Sequence, residues 1–298
     1  MNTLYLKSGV KTDRTVVAVG SFDGIHIGHA ALIKKAVDTS AVIGAAPAIW
    51  TFDDYAPKSV SKHIIPPEKR TEYFKELGIA VVYTCAFEDV RDMSADEFVK
   101  NIIIDKCGAE YAVCGYNFRF GKNAKSDAKD LSDLMRKYGK GGIIIDKVCY
   151  SDIPVSSTAV KKALSDGDIK LANAMLGRPF SVEMPVIHGK SIGKSLGFPT
   201  INQAYPDGLV MLKHGVYACE TYIDGKKYKA VTDVGLKPTV GSDHVCCESF
   251  ILDYEGDLYG RTVTVFFTEF LRQEQKFPSL DMLSAQIAED AKKVKEMK

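Results

Sequence analysis

Two histidines three residues apart, His26 and His29, lie inside a run that also holds three glycines: Gly20-Ser21-Phe22-Asp23-Gly24-Ile25-His26-Ile27-Gly28-His29. Neutral imidazoles donate hydrogen bonds to phosphate oxygens without adding a full fixed charge. Glycine lets a backbone approach a phosphate closely. The run follows an apolar segment at Thr15–Val19 and precedes the helical pattern HAALIKKAV, so it is the turn from a strand into a helix. A helix start there presents free N–H groups and a positive dipole end to an anion. Read together, these residues form a phosphate site suited to a step in which charge develops on a phosphate and a leaving pyrophosphate. Three alternatives compete. A zinc site from His26, His29 and Asp23 has no cysteine nearby and no metal-motif spacing. A dinucleotide loop needs G-x-G-x-x-G, which is absent here. A structural turn with incidental histidines is the third.

A second group lies at Gly189-Lys190-Ser191-Ile192-Gly193-Lys194-Ser195-Leu196-Gly197-Phe198-Pro199-Thr200-Ile201-Asn202. It nearly spells the P-loop but lacks one residue between the glycines and runs into Gly-Phe-Pro instead of a helix, so that reading fails on context. What survives is a loop whose amides, at Gly189, Gly193 and Gly197, and lysines, including Lys194, can cover phosphates. Thr200 and Asn202, two apart on an extended segment, offer oxygens from one face to a hard cation. Mg²⁺ takes few protein ligands and is otherwise held by substrate phosphates and water. Glu248 and Arg272 also stand in runs able to carry chemistry, although a lone Glu on a strand is ordinarily a solvated residue. Arg272, in a lysine- and glutamate-rich neighbourhood, has surface pairing as its bland alternative.

The elements that must position these groups change character along the chain. From Thr15 to about Lys147, apolar runs alternate with helical patterns: TVVAVG, HAALIKKAV, PAIWTF, PEKRTEYFKEL, IAVVYT, SADEFVKNIIIDKCG, EYAVCG, DLSDLMRKYG and GIIIDKV. That alternation predicts βαβ units and a parallel sheet. Ser94 followed by Glu97 predicts a capping box. Two more helical stretches, SSTAVKKALSDG and IKLANAMLG, lead to Gly177-Arg178-Pro179. Beyond it, short strand-like runs separated by turns such as Asp224-Gly225 predict an antiparallel sandwich or small barrel. One amphipathic helix from about Ser279 closes the sequence. The expected domains are residues 1–180 and 181–298.

With 298 residues, 46% hydrophobic and 26% charged, composition excludes disordered, collagen-like and coiled-coil chains. Lys plus Arg number 39 against 38 Asp plus Glu. No net field therefore draws nucleic acid or an anionic membrane, and neither is an expected partner. Seven cysteines without a CxxC pair read as reduced, mostly buried thiols. The opening run has no apolar leader core, and no stretch approaches the ~18 apolar residues needed to cross a bilayer. The expected compartment is cytoplasmic.

The run GSFDGIHIGH resembles the first motif of the nucleotidyltransferase superfamily, GxFDxxHxGH. Class I aminoacyl-tRNA synthetases share the HIGH element, but this chain is short for one and has no KMSKS. The loop Gly115-Tyr116-Asn117-Phe118-Arg119-Phe120-Gly121, with Ser126-Asp127 following, looks like the GxDFxFG segment of bacterial FAD synthetases. Two aromatics packing beneath a turn is its structural alternative. Val155-Ser156-Ser157-Thr158-Ala159-Val160-Lys161-Lys162 is similar to the SSTRIR motif, with Ala159 and Lys161 where arginines are common. Lysine acts there as a point charge, without the bidentate fork. TFDDYAPK at 51–58 departs from TFxPHP, with Tyr55 and Ala56 in place of the Pro-His pair. In the second half, GxxxGxxxGFPTxN resembles the riboflavin kinase signature, and further matches follow at Gly215–Ala218, Gly235–Thr239, Glu248–Tyr254, Leu258–Gly260 and Leu271–Phe277. Asp233 stands where that family usually has asparagine.

The resemblance covers nearly the whole chain and points to the bifunctional riboflavin kinase and FMN adenylyltransferase family, the prokaryotic FAD synthetases. It implies an α/β fold plus a β fold: a Rossmann-like nucleotidyltransferase domain with a parallel sheet, then a small antiparallel β-barrel with a C-terminal helix. It implies that His26 and His29 serve adenylyl transfer, with Phe22, Asp23, Gly24, Gly28, Asn117, Ser157, Thr158 and Lys161 binding the nucleotide. It implies that Glu248 is the kinase base, that Thr200 and Asn202 hold Mg²⁺, and that Arg272 contacts the flavin. Gly189, Gly193, Lys194 and Gly197 would cover the ATP phosphates. The expected substrates are ATP, riboflavin and FMN, and the products FMN and FAD. A chain with one working activity, most plausibly the kinase, and a flavin-binding regulator are the alternatives.

Overall fold

A computed structural model describes residues 2–5, 14–53, 62–188, 197–239 and 242–297. The chain divides into two compact units, Met1–Ser157 and Thr158–Lys298.

In the first unit, strands β1 (Asn2–Tyr5), β2 (Thr15–Val19), β3 (Ala46–Phe52), β4 (Val81–Cys85) and β5 (Ala109–Gly115) alternate with helices α1 (Ile27–Ile43), α2 (Pro67–Glu76), α3 (Phe87–Val90) and α4 (Ala95–Glu97). After β5 come β6 (Arg119–Phe120), β7 (Ser126–Asp127), α5 (Ala128–Lys137), β8 (Gly141–Ile145) and the hairpin β9 (Cys149–Tyr150) and β10 (Ile153–Pro154). The main sheet has the order β1-β4-β3-β2-β5-β8, and every pairing in it is parallel. The expected parallel sheet is therefore present. β2 and β4 are buried along their full length, as continuous apolar runs covered on both faces should be. The sequence reading missed β1, a four-residue edge strand with too few residues to show a period.

The capping box forms as expected: Ser94 Oγ accepts from the Glu97 N–H, and Glu97 Oε2 accepts from the Ser94 N–H. The helix it starts continues as a π-helical segment, Phe98–Lys106, and the Cys107 N–H reaches the Ile102 carbonyl five residues back at 3.0 Å. Extra residues per turn of this kind are frequent at functional sites. Phe98, Val99, Ile102 and Ile103 from this segment pack with Trp50, Tyr83 and Leu131 in one core.

Helix α6 (Ser157–Asp166) starts on the last residue of the first unit and runs into the second, which continues with helix α7 (Ile169–Leu176), strands β11 (Phe180–Ile187), β12 (Thr200–Ala204), β13 (Gly215–Ile223), β14 (Lys226–Thr239), β15 (Ser242–Ile251) and β16 (Thr262–Arg272), and helix α8 (Leu280–Glu296). The strands close a barrel in the order β11-β12-β15-β14-β13-β16, and all pairings are antiparallel. Of the two expected forms, the barrel is the one adopted. Closure removes the sheet edges that a sandwich would have to protect. Asp224 (φ 52°) and Gly225 (φ 79°) turn β13 into β14, as the Asp-Gly signal predicts. Alternation sends Tyr217, Thr232, Val234, Cys247, Ser249 and Phe267 into the barrel, each no more than 1% exposed. On the outer wall, Val216, Ala218, Val231 and Leu252 pack with Val294 of α8. Six of the seven free cysteines are buried, and Cys149 is exposed.

Candidate functional site

The first unit's sheet changes direction between β2 and β5: later strands β3 and β4 add on one side of β2, and β5 and β8 lie on the other. In open parallel sheets ligands bind at the carboxyl ends of the strands at such a switch point. The two sequence-predicted loops leave these very strands, Gly20–His29 from β2 and Tyr116–Gly121 from β5.

His26 is the N-cap of α1, and its Nδ1 accepts the His29 backbone N–H at 3.2 Å. An acceptor Nδ1 puts the proton of the neutral ring on Nε2. The two imidazoles stack, with centroids 3.7 Å apart and planes at 14°. His29 Nδ1 is buried with no hydrogen-bond partner among the described residues. Burial, and after it the neighbouring His26, hold the His29 pKa well below the ordinary histidine value of 6.5; desolvation penalises the cation. Phe22, at 5.2 Å from the His29 ring, and Ile25 both take positive φ, 53° and 41°, as does Gly24 at 81°. Asp23 Oδ1 accepts the Ile64 N–H at 2.9 Å, and the Asp23 carbonyl accepts from Ser157 Oγ at 2.8 Å. Asp23 therefore braces the loop, and among the described residues no group of three or more His, Cys, Asp or Glu is arranged to hold a metal ion.

The structure thus brings His26, His29, Phe22, Asp23, Gly24, Gly28 and Ser157 together. Gly28 sits so close to His26 that an added Cβ would come within 3.1 Å of its Nδ1. Asn117 is exposed in the β5 loop, where the Phe118 N–H closes a turn on the Gly115 carbonyl at 3.0 Å. The aromatic alternative holds as well for this loop, because Phe118 and Phe120 stack at 5.5 Å. Thr158 is exposed and Lys161 partly buried on α6, in the second compact unit. Tyr55 and Ala56 lie outside the described residues, as do Gly189, Gly193 and Lys194.

In the barrel, register assembles the second set. Asn202 stands opposite Glu248, Glu248 opposite Asp233, Asp233 opposite Val216 and Val216 opposite Arg272. One transverse row therefore crosses five strands on the outer wall. Directly opposed residues of antiparallel strands have Cβ atoms about 4.5–5.5 Å apart, so the Glu248 and Asn202 side chains leave the wall side by side. Thr200 shares that face, opposite Phe250, whose ring meets Phe198 edge-on at 5.4 Å. Gly197, with φ 82°, ends the loop before this strand.

Arg272 is held where the row ends. Its Nε and one terminal nitrogen donate to Asp290 of α8, at 3.0 and 2.8 Å to Oδ2, and the other terminal nitrogen donates to the Gln273 carbonyl at 3.2 Å. Asp290 is 5% exposed and also accepts from Gln286 Nε2 at 3.2 Å. The sequence reading did not single out Asp290. The available signal was an aspartate on the face of an amphipathic helix that also carries Val294, a position that needs a cationic partner once buried.

A histidine-capped helix start at the switch point of a parallel sheet, followed in the chain by a six-strand barrel with Glu248 opposite Asn202, is the frame of a two-part nucleotide-dependent transferase, and the family profiles define the chain as one. The FAD synthetase family profile matches residues 9–159, and the riboflavin kinase profile matches residues 176–298. Bifunctional riboflavin kinase/FMN adenylyltransferases of Listeria monocytogenes and Escherichia coli are each 31% identical to the chain, the first over 97% of this chain and 96% of that protein, the second over 92% and 90%. The chain belongs to this bifunctional family. A crystal structure of a Streptococcus pneumoniae protein described as a macrolide-efflux protein is similar at a TM-score of 0.91 and 29% identity, covering 99% of both chains. Among the described residues of the present chain, no helix is long and apolar enough to cross a membrane.

Proposed function

We propose that this chain makes FAD in two ATP-dependent steps, phosphorylating riboflavin to FMN in the barrel and adenylylating FMN at the parallel sheet, with the functional boundary at residues 180/181. The observation that carries this reading is that one chain holds both the stacked His26–His29 pair at a switch point and the Asn202–Glu248 row on the barrel wall.

In the kinase step, Glu248 accepts the proton of the riboflavin 5′-hydroxyl as that oxygen attacks the γ-phosphorus of ATP. Phosphoryl transfer depends chiefly on positioning and charge neutralisation. The donor set beside Glu248, a hydroxyl from Thr200 and an amide oxygen from Asn202, consists of hard oxygens and fits Mg²⁺. When bound, the ion supplies Lewis-acid neutralisation of phosphate charge. Arg272, oriented by Asp290, contacts the flavin. Gly197 helps cover the phosphates, and the same role for Gly189, Gly193 and Lys194 rests on sequence alone.

In the adenylyl step, the FMN phosphate attacks the α-phosphorus of ATP and pyrophosphate leaves. His26 donates from Nε2 while its Nδ1 stays engaged with α1. His29, kept neutral by burial, adds a donor without a fixed charge. Donors already aimed at the site of developing charge need no reorganisation during the reaction. Ser157 and Asn117 complete nucleotide binding, and the same role for Thr158 and Lys161 rests on sequence alone. The cytoplasm, which keeps thiols reduced, is the compartment assigned by this reading.

Chromatography of products from riboflavin, ATP and Mg²⁺ tests the proposal. FMN followed by FAD and pyrophosphate is the expected result. FMN without FAD would leave only the kinase, and flavin binding without turnover would leave a regulator.

A further inference from the structure

The turn that carries the histidines does not hold its shape alone. Phe22 and Ile25 occupy left-handed backbone, a strained conformation for bulky side chains that persists only where the surroundings impose it. What imposes it is a short stretch, residues 64–74, outside every motif discussed above. The Ile64 N–H holds the Asp23 carboxylate, and the Ile64 side chain fills the space over Gly24, where an added Cβ would stand 2.7 Å from Cδ1. The Arg70 guanidinium, 3% exposed, donates from one terminal nitrogen to the Ser21 carbonyl at 2.9 Å and to Thr51 Oγ1 at 3.1 Å. Its other terminal nitrogen donates to the Phe52 carbonyl at 2.9 Å. One helical turn later Phe74 meets the Phe22 ring edge-on at 5.5 Å. The i, i+4 spacing places Arg70 and Phe74 on one face of α2, and these two are its buried residues. Ser21, Phe22 and Asp23 are thus gripped in succession by Arg70, Phe74 and Ile64.

We propose that Arg70 is a positioning residue for adenylyl transfer: by tying the Ser21 carbonyl to the end of β3, it fixes the turn from which the His26 and His29 imidazoles project. The inference rests on assigning adenylyl transfer to this loop. It requires an arginine. A planar fork reaches acceptors on two strand ends at once, whereas a lysine offers one nitrogen.

The test compares full-length wild type with Arg70→Lys, Arg70→Met and His29→Ala. For each protein, the kcat and KM of FAD formation from FMN and ATP are measured beside riboflavin phosphorylation and amide hydrogen exchange. The expected result for Arg70→Met is a kcat about 100-fold lower, the scale of a misplaced reacting group, with the KM for ATP little changed and kinase activity intact. Arg70→Lys should fall between Arg70→Met and wild type, and faster exchange should be confined to residues 20–29 and 51–53. An unchanged kcat in Arg70→Met overturns the proposal. So does unfolding of the whole first unit in both Arg70 variants, which would make the residue a fold determinant only. FAD formation surviving in His29→Ala would instead sink the assignment of this loop to adenylyl transfer, a failure read from a separate protein.

Discussion

His26 caps the helix that carries His29: its Nδ1 accepts the His29 backbone N–H at 3.2 Å while the two rings stack with centroids 3.7 Å apart. One side chain thus supports the helix start through Nδ1, which leaves the proton of its neutral ring on Nε2, the nitrogen that the proposed function uses as a donor. The two roles separate by substitution. Asparagine caps helices well, and losing a cap costs about 1 kcal/mol. His26→Asn should therefore keep the unfolding midpoint near wild type but lose about 10²–10³ in the rate of FAD formation, the usual effect of removing one preorganised donor. His26→Ala should lose both. Thermal unfolding followed by the single tryptophan, Trp50, which is 2% exposed in the first unit, and an FAD assay decide the matter. Equal rates for His26→Asn and wild type would exclude His26 from the chemistry.

Burial holds the folded-state pKa of His29 well below 6.5, so the unfolded chain binds the extra proton between that depressed value and 6.5. Stability then rises with pH through this window. It is fully present above the unfolded value and is lost as pH falls below it. Urea unfolding of the first unit, monitored at Trp50 between about pH 5 and 7.5, the range in which an unperturbed histidine changes charge, should show that slope. His29→Gln should flatten it. An equal slope in the variant would assign the dependence to another group.

Much of this site was legible from spacing. The glycine-histidine run needed a strand before it and a helix after it, and both patterns were plain at Thr15–Val19 and His29–Val37. The barrel row was not. Thr200 and Asn202 showed their two-residue alternation, but the pairing of Asn202 with Glu248, 46 positions later, is set by a register that only the closed barrel fixes. Arg70 was hidden for a different reason. In PEKRTEYFKEL it reads as one more charge on a polar helix, because a cation buried on carbonyl oxygens has no sequence period of its own. Asp233 was noticed as an unusual residue, and the fold now gives it a place, directly opposite Glu248.

Glu248 belongs to the barrel unit and the histidine pair to the first unit, so its loss should be felt by one activity. Glu248→Gln keeps the size and hydrogen-bonding reach of the side chain but cannot take a proton at neutral pH. Riboflavin phosphorylation should fall about 10²–10⁴-fold, the contribution of a general base, while FAD formation from added FMN persists. Paired assays on one preparation check this. Loss of both activities with the fold intact would contradict two separate sites.

Arg272 and Asp290 form an ion pair with side-chain exposures of 22% and 7%, and the third guanidinium nitrogen is committed to the Gln273 carbonyl. An arginine so pinned contacts a ligand in one orientation, without the entropy cost of ordering a long side chain on binding. Removing the carboxylate has two consequences. Asp290→Ala leaves a largely buried cation without its partner and should destabilise the barrel unit by about 3 kcal/mol, measured by calorimetry of the full-length chain. Arg272→Met combined with Asp290→Leu removes both charges and should recover most of that loss, because replacing both members of a buried pair with apolar groups is often neutral. The kinase readout goes the other way: Asp290→Ala, which leaves Arg272 unoriented, should raise the KM for riboflavin, and the double variant, although stable, should keep it raised. If the KM returns to wild type together with stability, Arg272 serves only to fasten α8 to the barrel, and the flavin is held by other residues.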